Sequence, residues 1–344
     1  MPVKPFRILL AATLFAIALP GQWRRVEQAP AQTEPSSQDQ ETVIRVEVEE
    51  VNVTCSVRDR NGRLIGDLTK EDFALREDGK PQEIKRFARD TDIPLTLGLL
   101  VDVSPSQERL IETEKDAASQ FFSSVLRQKD LAFLMTFGSE AELVQDLTGS
   151  AKLLRAGLDE LRVNASVAGL HPGPVPTSSQ PRGTILYDAV YLAANERLRG
   201  QVGRKAMVLI TDGIDQGSRV KIQEAIRSAH MADAMVYAIY YYDPGAYNRG
   251  GGWGYGGGSD GDLRKMAEET GGRVFKVDRK HTLGDVFREL QEELRSQYSL
   301  SYTPTDTARN GEFRKIEIKA RDGDLKVQAR KGYFATGGDP KDSK

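Results

Sequence analysis

Apolar and polar positions fall into three successive patterns along the chain. From Thr42, apolar residues alternate with polar ones: Val43, Val46, Val48, then Val51, Val53, Cys55 and Val57. This is the period of a strand with one buried face. R-D-R-N-G-R follows, with Asn61-Gly62 as a turn signal. Leu64-Ile65, Phe73-Ala74-Leu75, the turn Glu77-Asp78-Gly79-Lys80, and Ile84 to Phe87 continue the pattern. Residues 42–90 read as a small antiparallel β unit with too few apolar residues to close a core alone.

From Ile93 the period changes. Leu95 to Val101, Leu131 to Phe137, Ala206 to Thr211 and Met235 to Tyr241 are short apolar runs, as in strands buried on both faces. Helical spacing appears at Glu108 to Leu126, Ala151 to Leu161, Ile185 to Leu198, Val220 to Met231 and Asp262 to Glu269. Leu143 to Leu147 reads as a short edge strand and Arg273 to Val277 as another strand. A last helix carries Leu283, Val286, Phe287, Leu290 and Leu294 on one face. This alternation predicts a doubly wound, mostly parallel α/β sheet over residues 93–296. Strand patterns return at Tyr298 to Tyr302, Phe313 to Ala320 and Leu325 to Ala329, giving a second β unit over 297–336 and a tail at 337–344. The two β units are expected to pair into one sandwich with the α/β segment inserted between them. The alternative is two independent extensions on opposite sides of it.

The N-terminal end has another character. Lys4 and Arg7 precede an apolar run from Ile8 to Leu19, the form of a secretory signal and short for a bilayer span, which takes about 20 apolar residues. Cleavage after Ala18 or Ala31 remains open. An uncleaved anchor is the other reading, and only then is the membrane a partner. Both readings over residues 1–31 export the remainder to the periplasm, envelope or exterior. A linker rich in Gln, Pro, Ser and Glu follows, through residue 41.

Composition mainly excludes. A net charge of −2, with no long like-charge run, argues against nucleic acid, whose binding needs a basic face. The single cysteine, Cys55, forms no internal disulfide and reads as a small buried strand residue. His171, His230 and His281 show no ligand spacing. No Walker A sequence, nucleophile elbow or H-E-x-x-H helix is present. Asn52 and Asn164 begin glycosylation patterns that are read as chance.

In an open α/β sheet, ligands bind beyond the carboxyl ends of the strands. Three segments at such ends carry oxygen donors. D-V-S-P-S after the first apolar run holds Asp102, Ser104 and Ser106; R-G-T opens a helix at Thr184; T-D-G after a later run holds Asp212. Two carboxylates and three hydroxyls, completed by water, suit a hard divalent cation such as Mg²⁺. Their order and placement resemble the metal-ion-dependent adhesion site of von Willebrand factor type A domains, with Asp102, Ser104, Ser106, Thr184 and Asp212 on its five positions. The resemblance covers residues 93–296. It implies a Rossmann-like fold, Mg²⁺ or Mn²⁺ as cofactor, and a protein partner that presents an Asp or Glu carboxylate to an open coordination position. The structural alternative is a degenerate site in which Asp102 caps a turn and the serines cap a helix.

The stretches G-D-L-T-K-E-D-F-A-L-R-E-D-G-K-P-Q-E-I, Q-Y-S-L-S-Y-T-P and R-K-G-Y-F extend the likeness. Over most of residues 42–335 the chain resembles exported bacterial proteins with a von Willebrand factor type A core, seen especially in acidobacteria. Near the site, Asp215 and Ser218 are candidates to orient the ligands or, more simply, to cap the next helix. Tyr247, Trp253 and Tyr255 lie in a Gly-rich segment at 243–261. They are candidate contacts around a bound carboxylate, or belong to an unused insertion. The function expected is an exported, metal-dependent binding or adhesion module and not an enzyme. An envelope scaffold with a structural metal is the second reading. A metal-assisted hydrolase lacks a candidate base.

Overall fold

The computed structural model describes residues 50–89, 93–163, 183–242 and 260–336. The candidate signal, the linker, residues 42–49, Tyr247, Trp253, Tyr255 and the tail lie outside the described residues. The N-terminal flank forms β1 (Val51–Arg58), β2 (Phe73–Glu77), β3 (Lys80–Gln82) and β4 (Ile84–Arg89). The chain continues through β5 (Leu95–Asp102), α1 (Ile111–Val125), β6 (Leu131–Phe137), β7 (Ala141–Thr148), α2 (Ala151–Glu160) and α3 (Leu186–Leu192). Next come β8 (Arg204–Thr211), α4 (Ile222–Met231), β9 (Ala234–Tyr240), α5 (Gly261–Thr270), β10 (Val274–Lys276) and α6 (Leu283–Arg295). The C-terminal flank supplies β11 (Tyr298–Tyr302), β12 (Phe313–Ala320), β13 (Lys326–Ala329) and β14 (Gly332–Phe334).

The central sheet has the order β10-β9-β8-β5-β6-β7, parallel except for the edge pair β6–β7. All eight residues of β5 are buried, as its unbroken apolar run requires when both faces are covered. One face packs against α1, α2 and α6 through Phe121, Phe122, Leu154, Phe287 and Leu290. The other packs against α3, α4 and α5 through Leu186, Val190, Ile226 and Leu263. The helix expected from Glu108 starts at Ile111, because Ser104 is extended and Pro105–Gln107 form a separate 3-10 turn. Likewise α3 gives way to a π-helical turn, Ala193–Leu198.

The two flanks interleave strand by strand, which rules out independent extensions. One antiparallel sheet runs β13-β1-β11-β4 and a second runs β14-β12-β2-β3. Val53 pairs with Leu300, and Leu75 with Ile318. The sheets face each other across one apolar cluster that includes Val53, Cys55, Phe73, Leu75, Leu300 and Ile318. Phe73 meets Tyr298 edge-on at 5.3 Å between ring centroids. Each such side chain contributes about 1.5–3 kcal/mol on burial, and neither flank holds enough of them alone to offset the ordering of its backbone. The tip of β2–β3 is a tight turn with Asp78 and Gly79 at φ of 46° and 78°, the primed geometry that matches strand twist. Leu64-Ile65 forms no full strand: Leu64 makes an isolated bridge with Arg58, and Ile65 packs against the sandwich core.

The sandwich joins the α/β body at the amino edge of the central sheet. Arg330 pairs with Asp233, just before β9, and Lys331 N–H donates to the Glu269 carbonyl before β10 at 2.9 Å. Glu293 of α6 is fully buried and accepts from Arg58 at 2.6 Å, Arg273 at 2.6 Å and Ser56 at 3.3 Å. His230 of α4, 5% exposed, packs edge-on against Phe313 of β12 and Phe334 of β14, with ring centroids at 5.4 and 6.2 Å. Burial and then the Arg330 charge push its imidazole down to about 4. No helix among the described residues is long and apolar enough to cross a membrane.

Two outcomes follow from this junction. Glu293→Ala leaves two guanidinium groups without their buried carboxylate and is expected to cost about 3–5 kcal/mol in urea unfolding; a loss near zero would mean that water replaces it freely. The folded imidazole of His230 stays neutral down to about pH 4, whereas the unfolded chain takes the proton near 6.5. Its contribution is complete above about pH 6.5 and is lost as pH falls. Melting curves of His230→Leu should therefore decline less between pH 6.5 and 4 than those of the parent, and parallel declines would refute the assignment.

Candidate metal centre

Strands β5 and β8 are neighbours, with Val101 paired to Ile210, so Asp102 and the Thr211-Asp212 pair emerge together at the carboxyl edge. Both carboxylates are buried, Asp102 at 0% and Asp212 at 1% exposure. Asp102 is held by neutral donors. The Ser104 N–H donates to its Oδ1 at 2.9 Å and the Thr211 hydroxyl to its Oδ2 at 2.6 Å. Burial first, and then the neighbouring Asp212 charge, raise the Asp102 carboxyl to about 7. The Ser104 and Ser106 hydroxyl oxygens lie 2.9 Å apart on the turn that follows.

Thr184 reaches this edge by backbone contacts. Its carbonyl accepts from Gln216 N–H at 3.0 Å, and the Ile185 N–H donates to the Gly138 carbonyl at 2.9 Å. Gly183 makes that approach possible, because a Cβ there would lie 2.8 Å from the Gln216 backbone. Asp215 and Ser218 do not cap the helix that follows them. Asp215 accepts from Tyr187 N–H at 3.2 Å, and the Ser218 hydroxyl accepts from Tyr187 and Asp188 N–H at 3.0 and 3.1 Å. They clasp the first turn of α3, and with it the Thr184 turn, to the loop that holds Asp212.

Several residues at this edge have no counterpart in the sequence reading. Thr211 is one; its hydroxyl also accepts from Gly213 N–H at 3.1 Å, which fixes the turn. Tyr240 and Tyr242, at the end of β9, stack with centroids 6.2 Å apart. Burial, and then Asp212, raise the Tyr240 phenol. Gln107 and Glu114 are buried at 0% and 1%, and among the described residues their side-chain oxygens and nitrogen have no hydrogen-bond partner. A glutamate in the apolar stripe of α1 was the available signal. Among the described residues no three His, Cys, Asp or Glu side chains form a metal-holding group. The donor set is instead two carboxylates with hydroxyls, a composition that fits a hard cation with water completing the shell.

The von Willebrand factor type A domain model matches residues 97–289, more than half of the 344 residues. The chain belongs to the von Willebrand factor type A domain family. Such domains in general mediate protein binding or adhesion and are generally non-catalytic. No curated protein matches the chain. Among solved structures, BatB from Bacteroides thetaiotaomicron is 18% identical and covers 58% of this chain and 97% of its own, with a TM-score of 0.43. A von Willebrand factor type A protein from Catenulispora acidiphila is 14% identical, covering 78% and 72%, with a TM-score of 0.43. Proximal thread matrix protein 1 of the mussel byssus, with a zinc-occupied MIDAS motif, is 15% identical, covering 62% and 48%, with a TM-score of 0.46.

Two buried like charges oppose folding when no cation balances them. Asp102→Asn keeps the shape and removes one of them. It is expected to raise the melting temperature of chelator-treated protein at pH 8. A lower melting temperature would show that Asp102 is already compensated by the fold.

Proposed function

We propose that this von Willebrand factor type A domain is exported and captures a partner protein through a divalent cation, Mg²⁺ or Mn²⁺. The observation that carries the reading is the buried pair Asp102 and Asp212, in which Asp102 accepts from the Ser104 N–H and the Thr211 hydroxyl and, among the described residues, from no cationic side chain. A bound cation supplies an electrophilic point charge with an open position for an Asp or Glu carboxylate. In this reading Asp102 and Asp212 provide the charge, and Ser104, Ser106 and Thr184 provide neutral oxygens. Having only two carboxylates among these five leaves the cation attractive to a third from outside. Asp215 and Ser218 hold the Thr184 turn in register with the Asp212 loop. The likeness to exported acidobacterial proteins and the N-terminal apolar segment support export.

The test is calorimetric titration of Mg²⁺ and Mn²⁺ into the full chain and into Asp102→Ala, followed by capture of a glutamate-bearing peptide library with and without chelator. Saturable cation binding lost in Asp102→Ala, with peptide capture only in the loaded protein, is the expected result. Capture that persists in Asp102→Ala would transfer partner binding to the sandwich and leave the cation a structural role.

A further inference from the structure

We propose that Glu114, with Gln107 beside it, is a further part of the cation centre: a buried carboxylate and amide behind Asp102 and Asp212 that hold water bound to the cation. This rests on the metal-dependent reading above. The buried face of α1 is otherwise Ile111, Ala118, Phe121, Phe122 and Val125, a stripe in which a glutamate has no packing purpose. Both Glu114 carboxylate oxygens, and the oxygen and nitrogen of the Gln107 side chain, are buried without a hydrogen-bond partner. An unsatisfied buried amide costs about 1–3 kcal/mol, and a charged group more. Replacing both with apolar residues would relieve that cost, so the pair calls for a ligand.

Their placement says where that ligand lies. Successive turns link Ser104, Gln107, Leu110 and Glu114 through Gln107 N–H to the Ser104 carbonyl, Leu110 N–H to that of Gln107, and Glu114 N–H to that of Leu110, at 2.8–3.0 Å. Gln107 thus closes the turn that Ser104 begins, and Glu114 lies in the first turn of α1 directly after it. Helical side chains lean toward the N-terminus, which turns Glu114 back toward the turn carrying Ser104 and Ser106. Burial, followed by the charges of Asp102 and Asp212, holds its carboxyl well above the usual range, as expected for a group in the same field. Set behind the two aspartates, Glu114 acts through water and leaves the outer coordination position to the partner. A third carboxylate strengthens the hold on the cation at the expense of its pull on an outside carboxylate.

The experiment titrates Mn²⁺ into the full-length parent, Asp102→Asn, Glu114→Gln and Gln107→Leu, with melting of each chelator-treated protein. Glu114→Gln is expected to bind Mn²⁺ about 10–100-fold more weakly and Gln107→Leu about 10-fold more weakly. The metal-free Glu114→Gln protein should melt no lower than the parent, which a merely structural glutamate would not allow. Parent binding that is lost in Asp102→Asn but unchanged in Glu114→Gln overturns this proposal and leaves the metal reading standing. Absence of binding in the parent overturns both. If Glu114→Gln does not fold, Gln107→Leu decides: unchanged affinity refutes the proposal and weakened affinity upholds it.

Discussion

Adjacent parallel strands deliver Asp102 and Asp212 to the same end of the sheet, and everything at that end answers to two carboxylates that are both removed from water. The pairing of β5 with β8 is not negotiable, because these strands form the middle of a sheet covered on both faces. Their loops therefore meet whatever residues they carry. The Ser104 amide and Thr211 hydroxyl soften the charge on Asp102 but do not cancel it. A side-chain cation would cancel it permanently. The neutral donors leave it in place.

The sandwich occupies the opposite end. Its ties to the α/β body, through Glu293, His230 and Arg330, fall at the amino edge of the central sheet. Among the described residues none of these ties reaches the carboxyl edge. Glu293 shows how a buried charge is made tolerable: two guanidinium groups and a hydroxyl surround it. Asp102, by comparison, meets neutral donors among the described residues. The contrast separates a buried carboxylate balanced by cations from one that the fold leaves unbalanced.

Much of this architecture was legible in the chain. Period-two alternation marks the flanks, unbroken apolar runs mark the central strands, and the helical stripe of α6 appears with the spacing the sequence announces. The five candidate oxygen donors follow from motif order and strand ends. Less legible was Thr211, whose hydroxyl matters only because β8 lies next to β5. Asp215 and Ser218 look like a cap for the helix after them, yet they serve α3, which precedes them in the chain.

The sequence by itself determined the kind of each element and the chemistry at its ends, because periodicity and local motifs act over a few residues. The tertiary structure alone decided that β1 lies between β11 and β13 and that β12 lies beside β2. It alone also revealed that Glu114 and Gln107 are sealed from water without partners. Strand order and burial are collective: they depend on which distant faces must cover one another, and no local pattern encodes that choice.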